Sequence, residues 1–456
     1  MRVSQCFVLF AVAAFLCGCT QVASVRPIYT REEAETPHRE PRLEGEWVMA
    51  NPDPTVERGA EPQSSVRVNI GNAGVINAPY YADFRGKDEP SDERESFYQY
   101  EIYLVPINND SFFFDAVLSE REEKGQKLKQ ADVLALNGIT GHQLGRVWIG
   151  PQFVRFGILD SEWVTTHWPA NDLYENVTRQ HERSLTLLNQ TAELREFLQK
   201  NARDEEAFAP ALYLCRPGAD CTKLAVEDQL ARKPDDAGAL RAGVNFFAKR
   251  GDFARAIALQ RHSMEIEVPA DEAMASQQKY ELAHLLLLNR KFAEAREVLK
   301  GVRVQPAYSK PSTEELIVRS YFLQGDYAAT VQMAKALSVP EELRTADSII
   351  LAYFALQRLG KTKEAESYLR EETAAFRGTT EEHLFLLKLT GRLTNIEWRK
   401  DMDRDWYYTT LSDVLSGKIR DAVTLLQQQI AADRKDNLWR LAAEIELERL
   451  NKSKPQ

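Results

Sequence analysis

Residues 240–266 restrict the possible fold more than any other stretch of the chain. Large apolar residues recur there at helical spacing, stop at Gly251, and resume at helical spacing beyond it. Gly251 suits the left-handed turn that ends a helix, and Ala256 is small where a second helix must approach the first. The stretch therefore predicts a helical hairpin with one apolar face on each helix.

The same pattern returns four times downstream. Residues equivalent to Phe253 recur at steps of 39, 35, 35 and 57, at Phe292, Tyr327, Thr362 and Ile419. The small residue three positions later is kept in every copy but the third: Ala256, Ala295, Thr330, Ala365 and Ala422. The pattern resembles the tetratricopeptide repeat, whose period is about 34 residues. An isolated hairpin cannot bury its apolar face, so the resemblance implies a tetratricopeptide-like α-helical solenoid over residues 209–450. An unrelated all-helical bundle is the alternative.

The N-terminus carries the features of a secretory signal. A positive start is followed by an apolar run too short to span a membrane, and this run ends at Leu16-Cys17-Gly18-Cys19. These four residues resemble the bacterial lipoprotein signal. The resemblance implies that residues 1–18 are removed and that Cys19 carries lipid, including palmitate. Thr20 in place of Asp implies an outer-membrane protein that faces the periplasm or the cell surface.

The regions between the anchor and the repeats differ in pattern. Residues 19–42 are polar without an apolar period, which predicts a flexible tether. Residues 43–170 show strand alternation, aromatic enrichment and short turns, which predict an antiparallel β-barrel or sandwich. The run from Gly45 and Trp47 onward resembles an uncharacterised β-domain of secreted bacterial proteins. Residues 171–208 read as a helical connector, so the whole chain is predicted to be an α+β multidomain protein.

Two cysteines remain beyond the signal region. Pro217-Gly218 folds the chain back between Cys215 and Cys221, which makes a disulfide plausible in an oxidising compartment. Two unrelated thiols are the alternative. A metal site is not expected, because no second Cys or His pair lies nearby at ligand spacing.

Catalytic motifs are absent from the sequence, with no nucleophile elbow, phosphate loop or His-Glu-x-x-His. The strongest cluster is Asp160, Glu162 and His167. Asp160 and Glu162 could share one strand face with His167 near them, and the three could bind a metal or transfer a proton. His142 follows Gly141 and is predicted to lie in a turn. We expect neither enzymatic activity nor a cofactor. The net charge of −10 argues against a nucleic-acid partner.

The repeats point to a binding site of another kind. In tetratricopeptide proteins the first helices of the hairpins line a groove for a peptide or a partner's helix, and some members clamp a terminal carboxylate. The resemblance carries that groove to Arg241, Asn245, His284 and Arg319. Glu315 stands where such a clamp has Lys and would repel a carboxylate.

Three functions follow from these patterns. The first is a lipid-anchored envelope scaffold that binds a partner protein or peptide through its helical repeats. The second is a carrier of a small molecule or lipid, acting through aromatic side chains of the β-domain. The third is a hydrolase built on the Asp160, Glu162 and His167 cluster.

Overall fold

The structure is a computed structural model with two compact units, Met1–Asp228 and Gln229–Gln456, here called the β-unit and the helical unit. The residues it describes are 20–49, 67–72, 80–86, 96–123, 126–129, 142–168, 173–177, 183–208, 211–302, 312–337, 345–376, 386–387, 389–390, 403–432, 435 and 437–452. Cys19 and the predicted signal lie outside them. None of the helices in this described part of the chain is long and apolar enough to cross a membrane.

The β-unit contains twelve strands among its described residues. They are β1 Thr20–Ser24, β2 Gly45–Met49, β3 Arg67–Asn72, β4 Tyr80–Gly86, β5 Ser96–Asn108, β6 Ser111–Glu123, β7 Gln126–Lys129, β8 His142–Ile149, β9 Phe153–Ile158, β10 Leu173–Val177, β11 Arg183–Leu187 and β12 Ala211–Cys215. Its helices are α1 Arg31–Glu35, α2 Ser161–His167 and α3 Thr191–Lys200, while α4 Cys221–Arg232 spans the boundary between the units.

Eight of these strands pair in a closed circuit. The pairings run β2, β3, β4, β5, β6, β8, β9 and β12, and β12 pairs again with β2. All of these pairings are antiparallel, so the antiparallel sheet predicted as a barrel or sandwich is confirmed, and its strands pair in a circuit. Since β12 belongs to this sheet, the predicted start of the repeats at residue 209 is too early.

The space enclosed by the sheet is filled by alternate side chains of its strands. The largest are aromatic and almost fully buried: Trp47, Tyr80, Tyr100, Phe112, Phe114 and Phe156. Phe114 lies opposite Gly145 on β8, where a Cβ would come within 2.4 Å of its ring and 2.3 Å of the Gly157 backbone carbonyl oxygen on β9. A glycine is therefore required at this point so that the aromatic ring can pack across the strand pair.

A second core lies on the outer face of the sheet, under α2 and α3. Val22 of β1 and Ile28, in the loop after it, belong to this core, and β1 pairs in parallel with β11. The predicted flexible tether is therefore wrong for residues 20–42. Those residues look disordered by composition, but two well-placed apolar side chains and a strand pairing hold them to the sheet.

Two further sequence predictions in the β-unit are also wrong. Among the described residues of the predicted helical connector, β10 and β11 come first and the helix α3 follows, so the connector is not helical throughout. Residues 161–167 form α2 instead of a strand, because Asp160 caps the helix by accepting a hydrogen bond from the Trp163 backbone N–H at 2.7 Å.

The helical unit consists of consecutive helix pairs. They are α5 Ala237–Lys249 with α6 Phe253–Ile266, α7 Glu272–Leu288 with α8 Phe292–Leu299, α9 Thr313–Gln324 with α10 Tyr327–Leu337, α11 Ala346–Arg358 with α12 Thr362–Ala375, and α13 Asp403–Leu415 with α14 Ile419–Ala432, followed by α15 Leu438–Lys452. Neighbouring pairs contact one another through α6 and α7, α8 and α9, and α10 and α11. We call α5, α7, α9 and α11 the first helices.

The turns inside these pairs follow the predicted pattern. A residue with positive φ stands before the second helix of every pair: Gly251, Arg290, Gly325, Gly360 and Gly417. Arg290 is the exception to glycine, with φ of 58°. The small residues near the start of the second helices are all fully buried: Ala256, Ala295, Thr330, Ala365 and Ala422. The predicted hairpins are therefore present. They could be predicted because a tight backbone turn and a close helix approach each require a particular residue type at a nearby position.

Candidate functional site

The four residues predicted to line a groove lie on three first helices, in unlike surroundings. Arg241 and Asn245 stand one turn apart on α5, where the Arg241 side chain is 69% exposed and pairs with Glu267 at 3.5 Å. His284 of α7 is half-buried. Arg319 of α9 is only 3% exposed. The structure therefore does not present the four as one open surface.

Arg319 is enclosed by an ion network. Its guanidinium donates to Glu315, one turn earlier on α9, at 2.7 Å and to Asp347, in the first turn of α11, at 2.8 Å. The same guanidinium lies 4.1 Å from the centre of the Trp439 ring of α15. Burial opposes the charged form of Arg319, but the carboxylates of Glu315 and Asp347 outweigh it and raise the pKa. The prediction that Arg319 lines an open groove is therefore wrong, and Glu315 is its partner.

The C-terminal helix α15 makes further contacts with the first helices. Arg290, just after α7, donates to Glu448 at 2.7 Å. Arg358, the last residue of α11, donates to the fully buried Glu446. Arg449 donates to the backbone carbonyl of Leu323 in the last turn of α9 at 2.6 Å, a favourable position for a cation. The helix α15 therefore covers α9 and reaches α7 on one flank and α11 on the other.

On α5 and α7, exposed and half-buried side chains form a stripe along one face of each helix. On α5 the stripe is Arg241, Asn245 and Lys249. On α7 it is Met274, Gln277, Glu281 and His284, at steps of three and four residues that place them on one face. We call these residues together the α5–α7 stripe. Of the predicted groove positions, Arg241 is therefore exposed, Asn245 and His284 are half-buried, and Arg319 is covered by α15.

The carboxylate cluster predicted for a hydrolase does not assemble. The Asp160 side chain caps α2, and the Glu162 side chain is exposed to solvent in the first turn of that helix. His167 lies at the other end of α2, where its ring stacks on Trp163 at 4.3 Å between ring centres. The prediction that Asp160 and Glu162 share a strand face with His167 near them is wrong, because this stretch forms α2.

A buried carboxylate–imidazole pair lies elsewhere in the β-unit. Asp115 of β6 is fully buried, and one of its oxygens is 2.7 Å from Nδ1 of His142. The other oxygen accepts the backbone N–H of Ile28 at 2.9 Å. Burial raises the pKa of Asp115, and His142 opposes that shift. His142 begins β8 instead of lying in a turn, and the pair holds the N-terminal loop onto the sheet.

One feature of the sequence indicates that Asp115 has a buried partner. Asp115 follows three phenylalanines on a strand, at an alternation step where the outer face of the sheet is apolar. A carboxylate at such a position requires a partner. That partner could not be named in advance, because His142 stands on another strand. Within the described residues, no three His, Cys, Asp or Glu side chains gather as ligands for a metal ion.

The predicted disulfide is confirmed between Cys215, at the end of β12, and Cys221, at the start of α4. The loop that it closes lines two adjoining clefts of about 330 and 490 Å³, which share Pro151 and Arg216. The Arg216 guanidinium stacks 3.8 Å from the Trp47 ring centre and donates to the backbone carbonyl of Glu44 at 2.9 Å. The aromatic side chains on which the carrier hypothesis depends are packed together as core.

Comparison with known proteins assigns the chain to no family. No protein-family model and no curated protein matches the chain. One solved structure, of Naa15/Naa10 bound to HypK-THB, contains a chain that is 18% identical, with a TM-score of 0.23. The match covers 57% of this chain, which spans about a third (34%) of that one. A likeness of this size carries no conclusion about function.

Proposed function

We propose that this protein is a lipid-anchored scaffold of the bacterial envelope, related to tetratricopeptide-repeat lipoproteins, whose helical solenoid binds a partner protein. The α5–α7 stripe is the proposed contact surface. The observation that carries the proposal is the change in exposure along the first helices, from 69% for the side chain of Arg241 to 3% for that of Arg319. We assign the protein no catalytic activity and no cofactor.

The side chains of the stripe suit a protein or peptide ligand. Arg241 offers a planar guanidinium, and Asn245 offers both an amide donor and an acceptor. Met274 is 41% exposed and adds a flexible apolar contact. Polar groups around an adaptable apolar side chain are typical of the surfaces on which proteins associate. The charge of −10 makes a nucleic acid an unfavourable alternative.

The proposed anchor would place the β-unit directly at the membrane. Cys19 precedes Thr20, the first residue of β1, and β1 pairs with β11 and β8. Lipid on Cys19 would therefore be separated from the folded sheet by a single peptide bond. The disulfide of Cys215 and Cys221 is compatible with an oxidising compartment such as the periplasm.

Site-specific photo-crosslinking in membranes tests the contact surface. A crosslinking amino acid at Asn245 should give a discrete adduct with another envelope protein. The same amino acid at Ala258, exposed on the second helix α6, serves as the matched control and should give none. Arg241→Glu should weaken the Asn245 adduct at unchanged protein level. Equal adducts from both positions, or none from either, would contradict the proposed surface. Mass measurement of the mature N-terminal peptide tests the lipid separately.

A further inference from the structure

One arginine of the β-unit is held in place where two open clefts meet. The guanidinium of Arg216, just after β12, donates to the backbone carbonyls of Glu44 at 2.9 Å and of Arg42 at 2.8 Å. It lies 3.8 Å from the centre of the Trp47 ring. A Cβ on Gly45 would come within 2.8 Å of its Nη1. Two hydrogen bonds, an aromatic ring and a glycine that leaves room therefore fix the position of this guanidinium.

The contacts that hold Arg216 do not balance its charge. Both of its hydrogen-bond acceptors are uncharged carbonyl groups, and an aromatic ring attracts a cation without neutralising it. Arg42 differs, because its guanidinium donates to the carboxylates of Glu40 and Asp110, both at 2.7 Å. A guanidinium carries five N–H groups, and the two bonds to carbonyls leave some of those of Arg216 able to bind an anion.

The larger of the two clefts, about 490 Å³ in volume, is here called the Arg216 cleft. One side of it is formed by Pro151 and Gln152 of the turn between β8 and β9. The other side is formed by residues at helical spacing in and just before α4: Asp220, Lys223, Leu224 and Glu227. Ligand sites in proteins typically measure about 300–1,000 Å³, so the Arg216 cleft has room for a short stretch of peptide.

The charges around the Arg216 cleft favour a ligand with a single negative group. Arg216 and the exposed Lys223 supply positive charge. Asp220 and Glu227 stand on the α4 side and would repel the further negative groups of a polyanion such as a nucleic acid. The half-buried Leu224 offers an apolar contact on the same side. One carboxylate with a partly apolar extension meets these conditions, and a peptide has both.

We propose that the Arg216 cleft binds a short peptide segment through one carboxylate that pairs with Arg216, while the rest of the segment lies along α4. The carboxylate is either the C-terminal group of the peptide or an Asp or Glu side chain, since both present the same planar anion to a guanidinium. The cleft belongs to the β-unit and contains no residue of the α5–α7 stripe. This proposal and the proposed function can therefore fail separately.

The test is affinity selection of acetylated hexapeptide mixtures on the immobilised full chain, with mass spectrometry as the readout. The first mixture lacks Asp and Glu and ends in a carboxylate, the second has the same sequences with an amide end, and the third is the amide form with one Glu added. We expect the first, the third or both to be retained at least about tenfold over the second, as for a charge-assisted hydrogen bond. Retention of the first alone identifies a chain end, and of the third alone an internal acidic residue. Equal retention of all three mixtures would overturn the proposal.

Variants connect the retained peptides to the Arg216 cleft. Arg216→Gln should abolish the preference for a carboxylate. Lys223→Glu keeps the test decisive if that variant does not fold, because Lys223 is exposed; it adds a like charge to the cleft and should reduce the preference at least about fivefold. Lys363→Gln, at an exposed lysine of α12, is the matched control and should leave the preference unchanged. An undiminished preference in a folded Arg216→Gln variant, or in Lys223→Glu, would refute the assignment.

Discussion

Replacement of Arg319 by methionine tests whether the ion network under α15 is a buried one. Methionine keeps much of the side-chain volume but removes the charge, so Glu315 and Asp347 are left facing each other. Both carboxylate side chains are nearly buried, at 10% and 9% exposure, and lie 2.7 and 2.8 Å from the guanidinium. Loss of one partner from a buried ion network costs about 3–5 kcal/mol, and the stacking on Trp439 contributes up to about 2 kcal/mol more.

The ion network alone therefore gives an expected loss of about 4 kcal/mol of unfolding free energy in the helical unit. With a urea dependence of about 2 kcal/mol per molar, the midpoint of the helical signal at 222 nm should fall by about 2 M. The variant that adds Glu315→Gln and Asp347→Asn should recover most of this loss, because no uncompensated charge remains. Arg241→Met removes an exposed arginine from the same unit and should change stability by less than about 0.5 kcal/mol. A loss below about 1 kcal/mol for Arg319→Met, or no recovery in the combined variant, would refute the reasoning.

Three further substitutions test the β-unit. Ile28→Ala removes a fully buried side chain and should cost about 3 kcal/mol in urea unfolding; a flexible tether at this position would give no change. The pKa of Asp115 is raised in the folded state, so the unfolding free energy should fall as pH rises from about 4 through the folded pKa. Asp115→Asn should flatten this fall, and an unchanged slope in urea midpoints measured from acid to neutral pH would exclude Asp115 as its source. Gly145→Ala forces a methyl group against the Gly157 carbonyl oxygen and the Phe114 ring and should cost about 1–3 kcal/mol, whereas Phe114→Leu in the same chain should relieve only the part of that cost that the ring causes.

The sequence predicts those features whose cause is local. The turn glycine at Gly251 and the small Ala256 mark a hairpin within a few residues, and their counterparts mark the other pairs. Strand alternation likewise predicts the antiparallel sheet, since the period of two follows from a buried face. The Cys215 and Cys221 pair is local in the same sense, with six residues of separation.

Features that depend on distant partners escape sequence reasoning. Arg319 looks like an exposed groove residue until Trp439, far along the chain, is placed over it. The segment around Ile28 looks like a tether because its strand partner β11 is remote in sequence. Short strands and short helices are also hard to separate. The alternation near Trp163 fits a strand over five residues, yet Asp160 is a good N-cap, and the cap prevails.

The contacts of α15 change how stability is distributed in the helical unit. In an open solenoid each repeat contacts its neighbours alone, so stability is a sum of local terms and repeats can fray from either end. Here Arg449 reaches a carbonyl 126 residues earlier, and Lys435 reaches the carbonyl of Arg250 185 residues earlier. Contacts of this separation couple the C-terminal segment from Lys435 onward to the α5–α6 and α9–α10 pairs, so loss of this segment should weaken several pairs together. A partner that binds the α5–α7 stripe would not have to displace α15, so it could bind without opposing that coupling.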